Sequence, residues 1–83
     1  MQTQRTFLVS LYCGEGNSTH LKASYNRPTA FEAFDAFCHE NQCIGYPLKP
    51  ERPEQRDDGL YAVWSGGCSI SGQRIYVKER IGS

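Results

Sequence analysis

The stretch 28–42, PTAFEAFDAFCHENQ, reads as a helix, and its reading decides the fold. Ala30, Phe31, Ala33, Phe34, Phe37 and Cys38 fall on one stripe at helical spacing, with Glu32, Asp35, His39 and Glu40 on the other side. Thr29 followed three residues later by Glu32 is a capping-box pair, each side chain positioned to satisfy a backbone N–H that the first turn leaves orphaned. Asn41 and Gln42 end the helix, and Gly45 and Pro47 prevent its continuation. Burying each phenylalanine contributes roughly 1.5–3 kcal/mol, so the stripe needs a broad apolar partner. In a chain of 83 residues that partner is a sheet.

Strands are expected on both sides of the helix. Upstream, Thr6–Cys13 alternates, with Phe7, Val9, Leu11 and Cys13 on the better core face and Leu8, Ser10 and Tyr12 on the other. Gly14 to Ser18 is a turn, and a second strand from Thr19 to Tyr25 sets Leu21, Ala23 and Tyr25 against His20, Lys22 and Ser24. Downstream, Ile44, Tyr46 and Leu48 alternate as an optional short third strand, which Pro47 would confine to an edge. Lys49–Gly59, KPERPEQRDDG, has two prolines, mixed charge and no apolar residue, and is expected to be a solvated, mobile loop. Leu60–Ser65 is apolar on both faces and suits the sheet interior; Ser65–Gly72 is a turn of small residues. The last strand, Gln73–Ile81, opposes Ile75, Val77 and Glu79 to Arg74, Tyr76, Lys78 and Arg80. The expected class is α+β: residues 1–83 form one domain, with one helix on a mainly antiparallel sheet of four or five strands in the order β-β-α-(β)-β-β.

Nine basic residues balance nine acidic ones, so no long-range field steers the molecule toward nucleic acid or membrane. No apolar run has the length of a signal peptide or a bilayer span, which sets the expectation of a cytoplasmic protein with no membrane contact. In that compartment Cys13, Cys38, Cys43 and Cys68 are expected to be reduced and structural, with Cys38 continuing the phenylalanine stripe.

Four constellations bear on chemistry. Zinc at Cys38, His39 and Cys43, completed by Cys13 or Cys68, is disfavoured because adjacent helical residues point about 100° apart. A catalytic cysteine paired with His20 or His39 lacks a feature that would depress its pKa, so neither enzyme activity nor a cofactor or metal is expected. Glu32, Asp35, His39 and Glu40 form an acidic helix face, read as solvated and, secondarily, as a docking surface for a basic partner. Tyr12, His20, Lys22, Arg74, Tyr76, Lys78 and Arg80 share the sheet face away from the helix and are the expected binding residues. Aromatic and basic side chains interleaved in this way serve protein interfaces and single-stranded nucleic acid alike. Zero net charge ranks a protein or nucleoprotein partner first and an RNA- or single-stranded-DNA-binding module second; a thiol- or zinc-dependent protein comes third, and homodimerisation is compatible with any of them. Small α+β chains without a catalytic set are often stoichiometric binders. The leading expectation is a non-enzymatic protein that acts stoichiometrically on a protein or nucleoprotein complex; phages and mobile elements use such chains as inhibitors of host defence, and an anti-CRISPR-like role is one form of it by that analogy.

Overall fold

The computed structural model describes residues 5–13, 19–41, 47–67 and 73–82. Its elements are β1 (Arg5–Cys13), β2 (Thr19–Arg27), α1 (Ala30–Glu40), β3 (Lys49–Arg56), β4 (Gly59–Gly67) and β5 (Gln73–Gly82). The five strands form one antiparallel sheet in the order β2-β1-β5-β4-β3, with α1 on one face, lying over β2, β1 and β5. The α+β class and the helix-on-sheet arrangement are as the sequence implies.

Alternation in β1 and β5 sends Phe7, Val9, Ile75 and Val77 to the helix side, where they are fully buried against Ala33, Phe34, Phe37 and Cys38. Trp64 reaches this core from β4, its ring 5.9 Å from that of Phe7 in an edge-to-face arrangement. The Thr29 hydroxyl accepts the Glu32 N–H at 3.2 Å and donates to the Glu32 carboxylate at 3.1 Å. Glu32 thus closes on the cap hydroxyl and not on the cap N–H that a full capping box would use. At the other end the Tyr25 hydroxyl donates to Glu40, tying the last turn to β2. Phe31 departs from the expected stripe and is 56 % exposed. It lies about 90° around the helix from the middle of the buried line, in the first turn; Cys38, at a similar angle in the last turn, is buried.

The larger correction concerns 49–59, which is a hairpin arm and not a loop. Lys49–Arg56 pairs with β4 as the sheet edge, and Asp57–Asp58 make the turn. Every residue of β3 is exposed, so the solvation expected from its composition holds while the loop does not. Backbone pairing needs no apolar side chain when a neighbouring strand offers its ladder. Pro53 is accommodated because it falls in a bulge, where Arg52 and Pro53 together oppose Ala62. The optional strand at Ile44, Tyr46 and Leu48 fares differently. Ile44 and Tyr46 lie outside the described residues, and Leu48 sits outside any strand, buried in the core. The turns at 14–18 and 68–72 also lie outside the described residues; Ser65 to Gly67 belong to β4.

Candidate functional site

The sheet face away from the helix is built in rows by the strand register. One row runs Ser24, Leu8, Lys78, Val63, Glu51; the next runs Lys22, Ser10, Tyr76, Ser65, Lys49. Toward the hairpin turn, Arg80, Tyr61 and Glu54 stand side by side. The face is concave. The turn at Arg56–Asp58 overhangs the β1–β2 surface, so that Arg56, Asp58 and Tyr61 line a groove of about 390 Å³ together with Lys22 and Ser24. Tyr61 and Val63 are buried on this face, apart from the main core.

Lys22, Arg74, Tyr76, Lys78 and Arg80 therefore share the face expected for them. Lys22, Arg74 and Arg80 are exposed, Tyr76 and Lys78 half-buried. Of Tyr12 and His20 only the strand positions are described. Tyr12 pairs with Arg74, and His20 falls at a register shift where Tyr12 opposes Thr19. The acidic half of this face is not legible in the composition of the sequence, where 49–59 reads as a loop. Glu54 accepts from Lys78 Nζ at 2.8 Å and from Arg56 at 3.3 Å. The hydrogen bond from Lys78 is the main reason the Glu54 carboxyl is held below the usual carboxylate range. Glu51 accepts from the Ser65 hydroxyl at 2.9 Å, and Arg74 donates to the same hydroxyl at 3.2 Å. The Tyr61 hydroxyl donates to Asp58 at 2.6 Å; that bond lowers the Asp58 pKa and raises that of Tyr61. The Arg56 guanidinium lies 5.6 Å from the Tyr61 ring centroid. The missed signal was Asp58-Gly59 directly before an apolar strand, a hairpin-turn sequence.

On the helix, Glu32, Asp35, His39 and Glu40 are all exposed, as read. Two of them have structural partners: Glu32 at the cap and Glu40 at Tyr25. Cys38 is buried and His39 exposed, so the helix does separate them. Cys43 and Cys68 lie outside the described residues. Among the described residues no three metal-ligating side chains converge, and no helix is long and apolar enough to cross a membrane. No family model, curated protein or solved structure matches the chain.

Proposed function

We propose that the protein is a non-enzymatic binder that acts stoichiometrically on a protein or nucleoprotein complex through its concave sheet face. The observation that carries this reading is the interleaving of charge. Glu51, Glu54 and Asp58 stand among Arg56, Arg74, Lys78 and Arg80, so the face is patterned in both signs around Leu8 and Tyr61. A mixed pattern around apolar area favours recognition of another protein by charge complementarity, whereas single-stranded nucleic acid favours unpaired cations along a groove. Inhibition of a host defence complex by a phage or mobile-element protein is one form of this reading. Its support is small size and the analogy with other stoichiometric inhibitors.

The test is affinity capture from native-host lysate with and without nuclease, using wild type and an Arg74→Glu/Arg80→Glu variant confirmed as folded by circular dichroism. A nuclease-resistant partner held by wild type and lost by the variant is the expected result. Loss of the partner on nuclease treatment would favour the nucleic-acid alternative. Retention by the variant would move the interface off this face.

A further inference from the structure

The groove under the hairpin turn does not end at Tyr61. A second depression of about 270 Å³, lined by Arg5, Thr6 and Arg80 among others, shares Leu8, Tyr61 and Lys78 with it. The two form one trough across the concave face. Its floor is low where Ser10 and Ser24 replace larger side chains, and Leu8, 45 % exposed, stands in its middle. There it offers apolar area that a partner's apolar side chain would remove from water.

Charge is distributed unevenly along the trough. In the centre, Lys78 and Arg56 share one carboxylate, Glu54, which offsets one of their two charges. At the two ends, Lys22 and Arg80 make no hydrogen bond or ion pair among the described residues. Asp58 faces the same space; its carboxylate accepts from the Tyr61 hydroxyl and keeps its charge, which is also felt by Arg80 and Arg56.

We propose, building on the protein-binding reading above, that the trough takes an extended peptide segment of the partner in which an apolar side chain is flanked by carboxylates. The apolar side chain would sit on Leu8 and Tyr61, and the carboxylates would meet Lys22 and Arg80. An extended segment fits because successive side chains alternate, so one can point into the floor while its neighbours lie along the rims. Charge complementarity selects the acidic occupant: five cations, Arg5, Lys22, Arg56, Lys78 and Arg80, line the trough against two carboxylates, Asp58 and Glu79, with Glu54 beside it.

The probe is a short end-blocked peptide with one leucine between pairs of glutamates, titrated into isotope-labelled protein and followed by amide chemical shifts. Saturable shifts at Leu8, Lys22, Tyr61 and Arg80 are expected. Affinity should fall at least about tenfold when the glutamates become glutamines, or in a Leu8→Ser or a Lys22→Glu/Arg80→Glu protein that retains its circular dichroism spectrum. Absence of shifts, shifts on the helix face, or equal affinity for the glutamine peptide would overturn the proposal. So would tighter binding of a lysine-containing peptide, with Asp58 as its anchor, or of oligothymidine in the same trough. If the peptide fails while Arg74→Glu/Arg80→Glu still abolishes capture of the native partner, the interface stands and only the peptide chemistry is wrong. If both fail, the face itself is wrong.

Discussion

Glu79 is a carboxylate at a core-facing position of β5, two residues beyond Val77 and only 9 % exposed. Burying an unpaired charge there would cost several kcal/mol, and Arg5 removes that cost. Its Nε and one terminal nitrogen each meet a Glu79 oxygen at 2.5 Å, while its other terminal nitrogen donates to the Pro28 carbonyl at 3.2 Å. One arginine thus joins β1, β5 and the entry to α1. Arg5→Ala should destabilise by about 2–3 kcal/mol, below the value for a fully buried pair because the Arg5 side chain is 43 % exposed. Arg5→Ala/Glu79→Leu should recover most of that loss in denaturant unfolding; a double variant no more stable than Arg5→Ala would mean that Glu79 is not the group Arg5 serves. Tyr25 gives a second residue-level test. Burial, and then its hydrogen bond to Glu40, push its hydroxyl up to about 12 from an ordinary value of 10.0. A raised folded-state value means that stability is fully present below pH 10 and is lost as pH rises from about 10 to 12, where the unfolded chain releases the proton first. Melting temperatures of wild type and Tyr25→Phe should therefore converge across that interval. The difference between the two isolates Tyr25 from Tyr61, whose hydroxyl is also raised.

The hairpin of β3 and β4 depends on Gly59. Its φ of +143° is one that L side chains rarely adopt, and a Cβ there would lie 2.2 Å from the Gly82 carbonyl oxygen. Gly59→Ala should cost at least about 2 kcal/mol by strain and displacement of β5. Gly82→Ala is the control: its Cβ would meet Leu60 at an ordinary 3.7 Å, so its effect should stay within about 0.5 kcal/mol. Equal unfolding midpoints for the two variants would refute the role given to Gly59. This hairpin also marks the limit of what was legible in the sequence. The helix could be read because Ala33, Phe34 and Phe37 repeat at helical spacing behind a cap, and β1 and β5 because their apolar residues alternate. Those signals come from burial. An edge strand with every side chain in water leaves no such signal, and β3 was hidden for that reason. The concavity of the outer face was hidden with it, since Glu51, Glu54 and Arg56 reach that face only through pairing with β4. Phe31 errs in the other direction: its apolar spacing is real, but the side chain lies outside the core and is exposed.

At the scale of the whole molecule, nine basic and nine acidic residues cancel, and the fold decides where they do so. Read in sequence, acid belongs to the helix and base to β5, which would give two oppositely charged faces. The structure instead brings β3 to the basic face, so cancellation is local: Glu54 lies between Lys78 and Arg56, and Glu51 shares Ser65 with Arg74. On the proposed protein-binding reading, this mixing is what keeps the face from serving nucleic acid, and removing it should turn the face toward nucleic acid. In Glu51→Gln/Glu54→Gln the same backbone presents Arg56, Arg74 and Lys78 unneutralised, beside Tyr61 and Tyr76. We expect wild type to bind oligothymidine weakly with a shallow salt dependence. The double variant should bind roughly tenfold or more tightly at low salt, with a slope of log affinity against log salt steeper by about 0.7 for each additional phosphate contacted. Fluorescence anisotropy over a salt series measures both quantities. If wild type already binds tightly with a steep slope, the acidic residues of β3 do not mask the cations, and the nucleic-acid reading overtakes the protein one. If the variant gains nothing, the concave shape of the face excludes the strand and the mixing of charge is incidental.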